Sequence, residues 1–303
     1  MNYELRITIY KLIVLHFFIL PMKIIESPRD AMQGIKQFIP TELKAAYINS
    51  LLKVGFDIID FGSFVSPKAI PQLADTAEVA KLIEKTDTKT KLMVVVGNSR
   101  GAEQSCRYEN IDFLAFPSSI SPTFLKKNIN SNIKKSDKTI AELQEICLSN
   151  NKSLMVYITM AFGNPYGDQW DINMIIEQIE KLQRLKIKYI SLSDINNIAT
   201  AETISSVYST IISQFPKIEF GFHLHTTSES WYRKLDAAIK NNCGIIDTVM
   251  HNLGGCPMTG KELVANLQTS SLIEYFAKNN IENPLDMNAF HQAYQLGLEV
   301  FKS

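Results

Sequence analysis

IKYISLSDINNIATAETISSVYSTIISQFPKIEFGFHLH, residues 187–225, reads as strand, helix, strand. Its ends, IKYISLS (187–193) and KIEFGFHLH (217–225), are short runs of β-branched and aromatic residues, and the middle, Ala201–Gln214, is amphipathic and helical in length. A helix between two strands cannot be a hairpin turn. It is the crossover that parallel strands require.

The same unit recurs along the chain. Working outward, the other strand candidates are MKIIES (22–27), FDIID (56–60), KLMVVV (91–96), IDFLAFP (111–117), SLMVYIT (153–159) and GIIDTVM (244–250). Helical stretches lie between them: TELKAAYINSLLKVG (41–55), Asp75–Lys85, Ala102–Tyr108, Ile133–Ser149, Ile172–Leu185 and Glu229–Asn241. Eight parallel βα units predict a (β/α)8 TIM barrel. A tail from about Lys261 to Phe301 supplies two or three extra C-terminal helices. A doubly wound open sheet is disfavoured, because its first turn would be glycine-rich and SPRDAMQG is not a G-x-G-x-x-G loop. No low-complexity linker interrupts the pattern, so residues 22–303 are expected to form a single catalytic domain.

Composition narrows the partner. With 31 basic and 31 acidic side chains in 303 residues, no charge excess points to nucleic acid or an anionic membrane, and a small-molecule substrate is expected. The four cysteines, Cys106, Cys147, Cys243 and Cys256, form no C-x-x-C pair and read as reduced thiols, which suits a cytoplasmic enzyme. Residues 1–21 hold an apolar core, Leu12 to Pro21, interrupted by His16. It is too short to span a bilayer and lacks a small-x-small cleavage site. We read 1–21 as a start-site artefact or loose extension upstream of a native start at Met22, ahead of a membrane tether or a cleaved leader. No stable membrane insertion is expected.

The fold dictates where chemistry should sit, because active sites of such barrels lie at the C-terminal ends of the strands. Polar residues gather there in this sequence. Arg29 and Asp30 follow the first strand, Asp60 closes the second with Ser63 just after it, and Asn98 follows the third. Asp194 follows the sixth strand, His223 and His225 finish the seventh, and GGCP (254–257) follows the eighth. Residues two apart on a strand share a face, so the two histidines point inward with Glu219 and Gly221, while Ile218, Phe220, Phe222 and Leu224 point to the helices. Two imidazoles with Asp30, from a strand near theirs in a closed barrel, make a mixed N/O donor set suited to Mg²⁺ or Mn²⁺ and less selectively to Zn²⁺. A neutral amide such as Asn266 could complete the ligands. Arg29 could neutralise an oxyanion, while Asp60 and Asp194 could orient it, orient a water or act as bases, or merely cap helices. Cys256 could act as an acid or base, or be a small apolar filler.

Seven segments together resemble hydroxymethylglutaryl-CoA lyases, of the metal-dependent TIM-barrel lyases and acyl-CoA synthases. They are SPRDAMQG (27–34), DFGSFVSPKAIPQLADT (60–76), VGNSRG (96–101), FLKKNINSNI (124–133), FGNPYGD (162–168), FHLHTT (222–227) and NLGGCP (252–257). The resemblance implies metal ligands at Asp30, His223, His225 and Asn266, a catalytic arginine at Arg29, a loop cysteine at Cys256 and supporting carboxylates at Asp60 and Asp194. His223 joins Asp30 and Asp194 as a candidate base, Gln33, Ser63 and Asn98 are expected near substrate, and Lys126, Lys127 and Asn128 near coenzyme A. An acyl-CoA substrate and a homodimer are further implications. The chain departs from the family at Asp60, where glutamate is usual, at HLHTT, where H-x-H-D-T is common, and at Ile195, where a hydroxyl residue follows the aspartate. Those departures bear on the substrate. The expected reaction is retro-Claisen cleavage of 3-hydroxy-3-methylglutaryl-CoA, against a lyase for another acyl-CoA, a condensing synthase of the same barrel family, and a non-catalytic acyl-CoA-binding barrel.

Overall fold

Eight short parallel strands follow one another around a closed barrel in chain order: β1 (Lys23–Glu26), β2 (Ile58–Ser63), β3 (Lys91–Val95), β4 (Phe113–Ser119), β5 (Ser153–Thr159), β6 (Tyr189–Asp194), β7 (Glu219–Leu224) and β8 (Ile245–Thr248). β8 pairs with β1, Ile25 beside Asp247, which closes the ring. The computed structural model describes residues 22–251 and 264–302. The apolar extension 1–21, the GGCP segment with Cys256, and the start of the C-terminal tail at Lys261 lie outside the described residues.

Helices wrap the barrel: α1 (Pro28–Met32), α2 (Thr41–Leu51), α3 (Thr76–Leu82), α4 (Ser99–Ser105), α5 (Pro122–Ile129), α6 (Ile133–Ser149), α7 (Ile172–Arg184), α8 (Ala201–Gln214), α9 (Trp231–Lys240), α10 (Thr269–Lys278) and α11 (Met287–Val300). Their starts are written in the sequence. Asn132, Asp171, Thr200 and Asp286 each accept a hydrogen bond from a first-turn amide, satisfying donors that a helix leaves orphaned. The short helices α1 and α5 begin on Pro28 and Pro122, whose missing N–H costs nothing at a first helical position. α10 and α11 are the extra C-terminal helices, and α11 packs against α2.

Two apolar layers follow from strand alternation. Ile25, Ile58, Met93, Phe113, Ala115, Met155 and Ile245 face inward and fill the lower barrel. Outward-facing neighbours such as Ile24, Ile59, Val156, Leu192, Phe220 and Phe222 pack against the helices, each contributing roughly 1.5–3 kcal/mol by leaving water. β2 runs three residues beyond the expected FDIID because its register against β3 shifts between Asp60 and Gly62. Gly62 permits this. A Cβ there would lie 2.4 Å from Thr76 Cγ2, while Thr76 Oγ1 takes the amide hydrogen of Ser63 at 3.0 Å.

Candidate active site

Above the apolar plug the inward positions turn polar. β1 ends at Glu26, and the turn through Ser27 and Pro28 into α1 carries Arg29 and Asp30 to the mouth, where Asp30 is buried. Arg29 is the hub of this corner. Its Nη2 and Nε donate to Asp60 Oδ2 at 2.6 and 2.9 Å, and its Nη1 donates to Asp30 Oδ1 at 2.8 Å and to Gln33 Oε1 at 3.1 Å. Gln33 Nε2 also donates to Asp30 Oδ1, so all four side chains form one network. The second oxygen of Asp60 is buried and has no partner among the described residues.

β7 brings the histidines in from the other side. His223 Nε2 and His225 Nε2 lie 3.0 Å apart. Behind them, His223 Nδ1 meets Asp247 Oδ2 at 3.0 Å, and His225 Nδ1 meets the carbonyl of Val264 at 2.8 Å. Each Nδ1 thus has an acceptor to donate to, which leaves each Nε2 with a lone pair. Two lone pairs converging in a buried place repel unless something positive lies between them.

The donor set passes a fit test for a divalent cation. One ligand atom each from Asp30, His223 and His225 lie within 4.8 Å of one another, and all three residues are buried. Nitrogens about 2.1 Å from an ion at neighbouring octahedral positions would be about 3 Å apart, the separation of the two imidazoles. Charge agrees. Asp30, Asp60 and Asp247 outnumber Arg29 by two, so with neutral imidazoles the centre lacks two positive charges.

Asn266 completes the ring of donors. Residues 264–268 lie along the end of β7, with Thr226 N donating to Ala265 O at 2.9 Å and Leu267 N to Leu224 O at 2.8 Å. His225 and Asn266 form an antiparallel bridge, and Asn266 Nδ2 donates to Asp30 Oδ2 at 2.7 Å. The amide therefore stands beside Asp30, on the residue bridged to His225.

Burial and charge set the titration of these groups. Burial raises the carboxyl of Asp30, but Arg29 and then the two histidines outweigh it and hold Asp30 at about 2. Burial raises Asp60 to about 6, more than Arg29 lowers it, with Asp30 and Asp247 adding repulsion. His225 falls to about 4 through burial and the neighbouring His223. His223 is lowered by burial but raised overall by its hydrogen bond to Asp247 and the charges of Asp247 and Asp30.

The remaining sequence candidates lie elsewhere. Asp194 is on the outer face of β6 with Ile190 and Leu192. Its oxygens accept from Ile198 N and Ala199 N, each at 3.0 Å, and from Lys234 Nζ at 2.8 Å. Asn98 is exposed and caps α4 through Gly101 N. Ser63 is buried at the seam between β2 and β3, donating to Val95 O at 3.3 Å. On α5, Lys127 Nζ sits 4.9 Å above the Tyr166 ring, and both side-chain polar atoms of Asn128 are buried without a partner. Two residues at the centre were missed by sequence reasoning. Asp247 orients His223, and the ring of Tyr157 meets that of His223 edge-on at 5.7 Å. Asp247 had a signal in the sequence: it is the one charge in the apolar run GIIDTVM, in alternation with inward-facing Ile245.

Known proteins are similar to this chain in sequence and in fold. The family model described as HMGL-like matches residues 22–296. The hydroxymethylglutaryl-CoA lyase of Bacillus subtilis is 30% identical over 231 residues, which span 76% of this chain and 77% of that protein. The mitochondrial hydroxymethylglutaryl-CoA lyase of Mus musculus is 28% identical over 253 residues, 83% of this chain and 77% of that one. Among solved structures, an HMG-CoA lyase from Acinetobacter baumannii in complex with coenzyme A and 3-methylmalate matches with a TM-score of 0.86 at 25% identity, covering 94% of this chain and 92% of that chain.

Proposed function

This chain belongs to the HMGL-like family, and from that membership we propose that it is a divalent-metal-dependent carbon–carbon lyase cleaving 3-hydroxy-3-methylglutaryl-CoA to acetyl-CoA and acetoacetate. One observation carries the reading. His223 Nε2 and His225 Nε2 converge at 3.0 Å beside the carboxylate of Asp30, whose other neighbour is Arg29.

Asp30, His223, His225 and Asn266 would hold the ion, with Mg²⁺ or Mn²⁺ preferred by the hard carboxylate and amide oxygens. When bound, a divalent cation supplies a Lewis acid that lowers the pKa of the substrate hydroxyl and fixes it in place. The rest is the work of side chains. Asp30 accepts the hydroxyl proton, while Asp247 holds the Nδ1–H of His223 and so keeps its Nε2 lone pair turned to the ion site. Asp194 lies on the far side of the barrel wall, held there by Ile198 N, Ala199 N and Lys234 Nζ, and does not serve as that base. As the alkoxide closes to the ketone of acetoacetate, the C–C bonding pair passes to the acetyl-CoA fragment as its enolate. Arg29 faces that oxygen, an electrostatic contact worth about 3–4 kcal/mol where such donors have been removed. Asp60 and Gln33 keep the guanidinium in place. A proton from Cys256 or water completes acetyl-CoA.

An acyl-CoA substrate is supported by the coenzyme A in the A. baumannii relative. A cytoplasmic, homodimeric enzyme with one catalytic domain from residue 22 onward belongs to the same proposal. No helix among the described residues is long and apolar enough to cross a membrane. The test is acetoacetate release from 3-hydroxy-3-methylglutaryl-CoA with and without Mn²⁺ or Mg²⁺, beside His223→Ala. Metal-dependent release lost in the variant supports the reading. Metal binding without release would move the substrate to another acyl-CoA, and neither binding nor release would overturn the proposal.

A further inference from the structure

Glu26 is a carboxylate fully enclosed on the outer side of the barrel wall, and it is not part of the centre just described. It ends β1, alternating with inward-facing Ile25, so its side chain points away from the lumen. Three donors close on it from two other segments. Met250 N reaches Oε1 at 2.6 Å, and Thr269 Oγ1 and Thr248 Oγ1 reach Oε2 at 2.6 and 3.2 Å.

The sequence positions of those donors matter. Glu26 precedes Asp30 by one short turn, Thr248 adjoins Asp247, and Thr269 is three residues beyond Asn266. One carboxylate therefore binds together the three stretches that supply Asp30, the partner of His223, and Asn266. Asp30 and Asn266 meet at 2.7 Å although 236 residues separate them.

From this geometry we infer that Glu26 is a positioning residue, which sets the Asp30–Asn266 contact from behind the barrel wall by gathering β1, the end of β8 and the segment leading into α10. The inference rests on the metal-site reading above. An apolar side chain in its place would strand the Met250 amide and the Thr269 hydroxyl, and buried donors without acceptors favour opening of the segments that bear them. Burial raises Glu26 to about 7 despite the three donors, as expected for an enclosed charge with no cation beside it among the described residues. The titratable groups on its helix side are the buried Tyr47 phenol of α2, with Tyr294 of α11 behind it, and His251, whose ring stacks on Tyr294 at 4.1 Å.

The test compares Glu26→Ala, Glu26→Gln and Thr269→Val in the full chain with Ile140→Ala, a core substitution in α6 on another part of the wall. Mn²⁺ affinity is read by calorimetry, and amide hydrogen exchange is followed in residues 264–269. The expected result is a loss of Mn²⁺ affinity of about tenfold or more in Glu26→Ala, the range typical of residues that orient ligands. Exchange at 264–269 rises in the same variant. Glu26→Gln and Thr269→Val move both readouts less, and Ile140→Ala lowers the melting temperature without moving either. Wild-type affinity and protection in folded Glu26→Ala would overturn the inference, as would an equal loss in Ile140→Ala. Should Glu26→Ala not fold, Thr269→Val decides on the same two readouts. Should the wild type bind no Mn²⁺, the metal reading fails and exchange at 264–269 alone decides the role of Glu26.

Discussion

The inner and outer faces of the barrel rim each carry buried carboxylates, and they are handled differently. Inside, Asp30 has both oxygens engaged, but Asp60 and Asp247 each keep one oxygen engaged and one without a partner among the described residues. Outside, both oxygens of Glu26 and of Asp194 accept hydrogen bonds from the chain. A buried polar atom without a partner costs roughly 1–3 kcal/mol, so stability alone would not retain the inner pattern. The outer pattern is what a scaffold needs. The lumen is arranged to meet something that arrives from outside.

Substitutions should separate the two faces. The largest effect is expected outside, where Lys234→Met removes the cation that Asp194 faces at 2.8 Å. A buried carboxylate left unpaired costs about 3–5 kcal/mol, read as a lowered urea midpoint, while kcat of the folded enzyme stays near wild type. A large fall in kcat at unchanged stability would erase the distinction between the faces. Inside, Arg29→Lys keeps the charge between Asp30 and Asp60 but loses the planar fork, and acetoacetate release should fall about 10²–10³-fold with little change in melting temperature.

Glu26 gives the comparison a pH axis. Its carboxyl titrates near 7 in the folded chain against 4.5 for the free group. Between those values the folded state holds a proton that the unfolded chain has released, so Glu26 makes stability decline as pH rises through that window and level off above about 7. The shift corresponds to about 3 kcal/mol, and Glu26→Gln should flatten the profile of urea midpoints by that amount. The smallest effect belongs to Asp247→Asn. An amide N–H facing His223 Nδ1 would favour the tautomer that carries its proton on Nε2, and Mn²⁺ affinity should fall about 10–100-fold with the fold intact.

Much of this was legible from residue order. Helices 133–149 and 201–214 and strand 153–159 have the expected limits, because caps and β-branched runs mark them locally. The short helices α1 and α5 were not foreseen, since a few residues after a proline carry no periodicity. Asp30, His223 and His225 stood out as strand-end residues of ligand type. Asp194 stood out for the same reason, yet its side is also written in YISLSD, where it shares a face with Ile190 and Leu192 and alternates with Ser191 and Ser193. Asp247 was passed over because one acid in a buried strand resembles noise until its partner is seen. The meeting of Asp30 with Asn266 depends on ring closure, which no local pattern encodes.

The plug of Ile25, Ile58, Met93, Phe113, Ala115, Met155 and Ile245 turns the barrel into a vessel with a floor. Whatever is split inside it must leave by the opening through which it came. Asp30 and the two histidines stand on the open side of that floor.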